Sequence, residues 1–323
     1  MVALITGGAG FIGSHLADRL IAAGEQVIVL DDLSTGRLTN IEHLIGHPLF
    51  RFVEGSVLDA AVVAPLVREA DLIYHLAAVG TRRVSRAPLH AITTNVEGTA
   101  YVLREAERWG KKVFVASTSQ IYGKNDQPGL DETAESVIGP LEATRWLYAV
   151  SKVTDECLAL AYCQERGLPV VVGRLFNTYG PRQASDKVVP RFIGQALRGE
   201  PLTVFGDGTQ ARCFTYVEDV TAAILALMRT PDAVGQIVNI GSEREIPVQR
   251  LAEIVLEVTG SDSPITYVDP HQVYQQGFED VRRRVPSTRK LRELIGWVPS
   301  TPIESGVQAM VGHLRQPLAA VAD

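Results

Sequence analysis

The chain reads as an α/β protein built on a doubly wound parallel sheet, and three observations predict it. Short apolar runs recur along the first half, amphipathic stretches separate them, and the first run ends in a glycine-rich turn. The runs are VALIT (2–6), QVIVLD (26–31), RFVEG (51–55), LIYHLA (72–77), KVFVAST (112–118) and PVVVGRL (169–175). Their apolar residues continue without alternation, the pattern of strands covered on both faces. In Ile12–Ala23 and Glu97–Arg108 the apolar positions return at helical spacing instead. The repeating unit is therefore strand–helix–strand, and the sheet is parallel.

From about Asn177 the rhythm changes to segments punctuated by Pro and Gly: YGPRQ, GEPLTVFGDGTQ and TGSDSPITYVDPHQ. These are turn signals carrying short strands, and they predict a smaller α/β lobe over 177–323 beside a first lobe over 1–176. QIVNIGS (236–242) looks like one more buried strand, so 210–242 is expected to return to the first lobe and interleave the two. Helices are expected around Val248–Thr259 and Ser287–Ile295, and the final LAAVAD reads as a loose end.

Composition narrows the function classes. The 323 residues hold 46% hydrophobic and 21% charged side chains, enough for about two domains. Lys and Arg number 31 against 37 Asp and Glu, a net charge of -6 that offers no basic field to nucleic acid or an anionic membrane. No run approaches the roughly 18–20 apolar residues of a bilayer span. Cys157, Cys163 and Cys213 show no metal-ligand or CxxC spacing, so reduced thiols and a cytoplasmic location are expected.

The turn after the first strand is Gly7-Gly8-Ala9-Gly10-Phe11-Ile12-Gly13, running into a helix. Gly7 permits the tight turn, Gly10 admits a pyrophosphate to the backbone, and Gly13 lets helix and strand pack closely. The helix N-terminus then offers N–H groups to the anion, as in Rossmann-type sites. Asp31 ends the second strand 24 residues after Gly7, followed by Asp32. A carboxylate there accepts from the adenosine ribose hydroxyls and repels a 2′-phosphate, which selects NAD. Asp59 fits either the adenine edge or a helix N-cap.

Tyr148 and Lys152 stand four apart in YAVSK, on one face of a helix. A phenol of ordinary pKa about 10 is a poor base at neutral pH, and a neighbouring ammonium lowers that value. Ser117-Thr118-Ser119 ends an intervening strand and supplies hydroxyls.

With these motifs in view, the chain resembles the extended short-chain dehydrogenase/reductase family, in particular its nucleotide-sugar epimerases, dehydratases and decarboxylases. The resemblance covers almost the whole chain. It rests on TGGAGFIG, Asp31-Asp32, HLAA (75–78), NVEGT (95–99), STSQIYG (117–123), YAVSK (148–152), RLFNTYGPRQ (174–183), GDGTQARCFTYVEDV (206–220) and RRRVPSTRKLRELIGW (282–297). It implies a bound NAD that oxidises a sugar at C4 and is restored within the same turnover. Tyr148 would take the hydroxyl proton, Thr118 would share a hydrogen bond with the same oxygen, and Lys152 would hold the nicotinamide ribose. Ala77 and Asn95 would line the cofactor channel. Asn177, Arg191, Phe205, Arg212 and Arg284 would bind the nucleotide-sugar, a UDP-sugar, with arginine forks on its phosphates.

The reaction after C4 oxidation turns on two positions. Dehydratases of the group carry an Asp-Glu pair after the threonine, where this chain has Ser119-Gln120. A neutral amide abstracts no C5 proton, which disfavours 4,6-dehydration. UDP-glucuronate decarboxylases resemble the chain most through IGPLEATRWLYAVSK, GEPLTVFGDGTQARCF and GFEDVRRRVPS, yet carry Glu where Gln120 stands. Arg145 fits a partner for a C6 carboxylate or a solvated helix residue. The reaction that asks least of positions 119 and 120 is 4-epimerisation, so a UDP-sugar 4-epimerase is expected, with decarboxylation the alternative. The resemblance also implies a homodimer, with Leu147, Leu158, Leu160 and Tyr162 offering it apolar surface.

Overall fold

Seven strands form one parallel sheet, and its order carries the topology. A computed structural model describes residues 1–269, 281 and 283–319, except the side chains of residues 82 and 316–319. The first half runs β1 (Val2–Thr6), α1 (Phe11–Ala22), β2 (Gln26–Asp31), β3 (Phe50–Glu54), α2 (Ala60–Glu69), β4 (Leu72–His75), α3 (Thr81–Val84), α4 (Pro88–Arg108), β5 (Lys112–Thr118), α5 (Arg145–Arg166) and β6 (Val170–Leu175). Then come β7 (Thr178–Tyr179), α6 (Val188–Leu197), β8 (Leu202–Phe205), β9 (Ala211–Cys213), β10 (Thr215–Tyr216), α7 (Val217–Arg229) and β11 (Gln236–Ile240). The chain closes with β12 (Glu245–Pro247), α8 (Val248–Thr259), β13 (Ile265–Val268), α9 (Arg289–Ile295) and α10 (Ile303–Ala319).

The main sheet is ordered β11-β6-β5-β4-β1-β2-β3. This is the doubly wound Rossmann-type arrangement, and its order reverses between β1 and β4, where a crevice must open at the strands' C-terminal ends. One face of the sheet is covered by α1, α7 and α9 through Leu16, Leu20, Val220, Ile224 and Leu291. The other is covered by α2, α4 and α5 through Val63, Leu66, Val102, Leu103 and Ala159. Both faces are dry at the inner strands, which is why their runs show no polar alternation, whereas the edge strand β3 exposes Arg51 and Glu54. A separate core joins α6, α8 and α10 through Phe192, Ile193, Leu251, Val255, Val307 and Val311.

Several boundaries differ from the sequence expectation for local reasons. The helix expected from Glu97 begins at Pro88, because proline suits a first helical position whose N–H has no partner. The strand expected over 72–77 stops at His75, and the next residues leave the sheet. Of the segment 210–242, β11 pairs with β6 and α7 packs on the sheet, whereas β9 pairs antiparallel with β12. Leu158 and Tyr162 pack in part on the core under α5 and Leu147 in part beside Val84 and Ala91, and Leu160 is likewise half-buried. The tail LAAVAD begins inside α10, and residues 320–323 lie outside the described residues, as do 277–280 and 282 of the late motifs.

Phe114 on β5 is fully buried, with Gly173 of the neighbouring strand leaving room for its ring. Phe114→Ala should lower unfolding free energy by about 3–5 kcal/mol, read from the denaturant midpoint, because β5 and β6 cannot close the void.

Candidate active site

The crevice at the β1/β4 switch is a cleft of about 560 Å³. Its floor is the glycine loop. Gly7 has φ 72°, and a Cβ there would come within 2.7 Å of the Ala77 backbone N. Gly13 touches the same turn: a Cβ on it would lie 2.4 Å from the Gly7 carbonyl oxygen. Helix α1 therefore starts against the strand end, with no side-chain cap, and Gly10, Phe11, Ile12 and Gly13 line the cleft. The uncapped first turn is an anion site of the kind a pyrophosphate fills.

Asp31 closes one end. Its carboxylate accepts from Ala9 N at 3.0 Å and Leu33 N at 2.9 Å, and it lines the cleft with Asp32. Burial pushes the Asp31 carboxyl up, and the two N–H donors pull it back. Asp59 does not reach this space. Its carboxylate accepts from Ala61 N at 2.9 Å and caps α2, so the helix-cap reading holds, and Gly55 and Val57 stand on the wall instead.

The facing wall is the turn after β4. Ala77 lines the cleft, whereas Asn95 is buried behind it. Asn95 Oδ1 accepts from Val79 N at 2.7 Å and its Nδ2 donates to Ser151 Oγ at 3.0 Å, so it pins the wall to α5 rather than forming it. Thr94, its neighbour, lines the cleft.

The cleft lining also takes Ser117 and Thr118 from the end of β5, Ser119 and Gln120 from the turn that follows it, and Tyr148 from α5. Burial pushes the Tyr148 phenol up from its ordinary range; the Lys152 ammonium and a hydrogen bond with Thr118 pull it back. Gln120 is held by the Thr81 hydroxyl, its Nε2 donating at 3.1 Å. Lys152 is not on the cleft surface: it is 2% exposed and its Nζ lies 2.6 Å from Asp155 Oδ2.

The far end is cationic. Arg212, Arg284 and Lys187 line it with Asn177, Val188 and Val189, where α6 begins. Arg284 donates to the Gly123 carbonyl oxygen at 2.9 Å and Asn177 to that of Cys213 at 3.3 Å. Three expected residues are not among the lining residues. Arg191 stacks on Phe205, 4.3 Å from the ring centroid, and Arg145 stacks on Trp146 at 4.9 Å. Their guanidinium planes find aromatic faces close at hand. Sequence reasoning missed Lys187, although it stands just before an apolar helical run, the position from which a helix presents its N-terminus.

The cleft lining thus combines the carboxylates of Asp31 and Asp32, the cations Lys187, Arg212 and Arg284, the hydroxyls of Ser117, Thr118 and Ser119, and the Tyr148 phenol. Residues 3–241 match the NAD dependent epimerase/dehydratase family. The chain belongs to this family. A UDP-N-acetyl-alpha-D-glucosaminuronate decarboxylase of Bacillus cytotoxicus is 40% identical over 97% of both chains. Among solved structures, the UDP-glucose 4-epimerase of Thermotoga maritima, crystallised with UDP-glucose, superposes with a TM-score of 0.88 at 32% identity, covering 98% of this chain and 100% of that one. A UDP-glucuronic acid 4-epimerase of Bacillus cereus, solved with NAD and a fluorinated UDP-glucuronic acid, gives 0.88 at 26% identity over 98% of each. NAD is the cofactor of the family, and the glycine cradle and Asp31 fit it.

Asp31→Ala should weaken NAD binding relative to NADP by about tenfold or more, the worth of a charged hydrogen bond, measured by calorimetry with each dinucleotide.

Proposed function

We propose that the protein is an NAD-dependent decarboxylase of a UDP-linked uronic acid. The supporting observation is the uncharged stretch beside Tyr148: Ser119 and Gln120 line the cleft, and Gln120 is tied to Thr81. Elimination across C5–C6 needs an acid and a base there. Loss of carbon dioxide from a 4-keto uronic acid needs neither, because the electrons of the C5–C6 bond pass into the C4 carbonyl. Bound NAD supplies two-electron oxidation at C4 and the matching reduction afterwards. Tyr148 takes the C4 hydroxyl proton, helped by Lys152 and Thr118, then donates to the C4 oxygen as it gains charge. A proton from water completes C5. Lys187, Arg212 and Arg284 hold the diphosphate, with Asn177 beside them. The full-length likeness to a uronate decarboxylase supports this reading.

A 4-epimerase is the second reading, favoured by the same neutral pair at 119 and 120 and by the epimerase structures. In it the keto sugar turns in the cleft and is reduced on its other face.

The protein is also read as a cytoplasmic homodimer. The free thiols Cys157 and Cys163 and the exposed Leu89 on α4 (78%) and Val150 on α5 (37%) support this.

UDP-glucuronate and UDP-N-acetylglucosaminuronate, incubated in D2O with NAD, should yield carbon dioxide and a pentose product carrying deuterium at C5 by NMR. A six-carbon 4-epimer without gas evolution would replace this reading with the second. Tyr148→Phe should cut turnover by roughly 10²–10⁴-fold while NAD still binds. Wild-type rate should fall as pH drops, because the phenolate is the base and burial raises the phenol's pKa.

A further inference from the structure

Lys152 has a partner that neither the cofactor nor the substrate requires. On α5 the residues Tyr148, Lys152 and Asp155 follow one stripe, with the ammonium between phenol and carboxylate. The carboxylate is 0% exposed, and its Oδ2 lies 2.6 Å from Lys152 Nζ.

We propose that Asp155 is a positioning residue that keeps Lys152 charged and fixes its ammonium behind Tyr148.

Other elements offer Lys152 little charge. From β4 comes His75, which burial and Lys152 hold neutral with its pKa pushed down to about 3. From β6 comes Arg174, engaged with Glu156 at 2.8 Å. β5 adds the hydroxyls of Ser117, bonded to Glu156, and Thr118, while α4 adds Thr99 and Asn95. Burial pushes the lysine down, yet it lies above its ordinary range on balance, and Asp155 contributes most to raising it, ahead of Tyr148 and Glu156. Without the carboxylate a dry ammonium faces a neutral histidine, and shedding its proton is the least costly response. A neutral amine no longer lowers the phenol's pKa. The Asp155 charge acts on the phenol in the opposite sense, but more weakly than the ammonium does.

The test uses the full chain with NAD added, labelled at lysine Cε, since it has only six lysines and Lys152→Met assigns the resonance. Asp155→Asn should move the Lys152 titration down by at least about one pH unit, the size an opposite charge at this range produces. Asp155→Ser must do the same should the amide variant not fold. The kinetic arm rests on the proposed decarboxylation: the alkaline limb of kcat should fall to lower pH by the same amount, with KM for the UDP-sugar within about twofold. A Lys152 titration unmoved in a folded variant overturns the proposal. Inactivity toward UDP-uronates with the shift present overturns only the functional reading and leaves Asp155 in its role.

Discussion

The cleft depends on one constraint: β1 and β4 lie side by side, and their onward connections leave to opposite faces of the sheet. From β1 the chain turns into α1 on one face; from β4 it passes to α4 on the other. No backbone can fill the space between the departing chains, so a crevice is built into the topology. Its depth is then set by how closely the two turns approach. At Gly7 the approach leaves no room for a Cβ beside Ala77 N, so the floor of the cleft is backbone on both sides. Polar N–H groups are thereby presented where a side chain would otherwise stand.

A second constraint follows from the first. Strand ends that meet a ligand must be held without filling the cleft, so their polar contacts run behind it. Thr6 at the end of β1 lies 2.8 Å from His75 Nδ1, and His75 Nε2 lies 2.9 Å from the Thr99 hydroxyl on α4. Asp155 on α5, buried in the same layer, holds Lys152. Asn95 runs a parallel course from Val79 to Ser151. These bonds cross from the sheet to α4 and α5 in a dry layer, where each satisfied polar group rigidifies its neighbour. The wall, the phenol and the ammonium are consequently one unit.

How much of this was legible in the sequence follows the range of the forces. The strands were readable because dryness on both faces acts on every residue of a run, as in QVIVLD and KVFVAST. The glycine loop and Asp31 were readable because their chemistry is local and ordered along the chain. Asn95 and Lys152 were found, but not their burial, since sequence spacing gives the face of a helix and not its depth. The neighbours of Arg145, Arg191 and Phe205 were not legible: stacking between Arg191 and Phe205 joins residues 14 apart across a turn. Asp155 carried no motif, and only packing against Thr99 and Lys152 gives it meaning.

The charge layout bears on the proposed reaction more than the net charge does. Among the described lining residues the cations are Lys187 before α6, Arg212 on β9 and Arg284, and the carboxylates are Asp31 and Asp32 at the end of β2. On the same cleft, Thr118, Ser119, Gln120 and Tyr148 are uncharged. A uronate carboxylate held there would meet hydrogen-bond donors, while Arg145 stacks on Trp146 and Arg284 donates to the Gly123 carbonyl oxygen. An ion pair would stabilise the carboxylate in the ground state and raise the barrier to losing it. During decarboxylation the negative charge moves from C6 to the C4 oxygen, beside Tyr148 and Thr118, whose hydroxyls are already in place. In the proposed reaction a centre poor in charge would favour the transition state over the bound acid, a gain that would not require a glutamate at position 120.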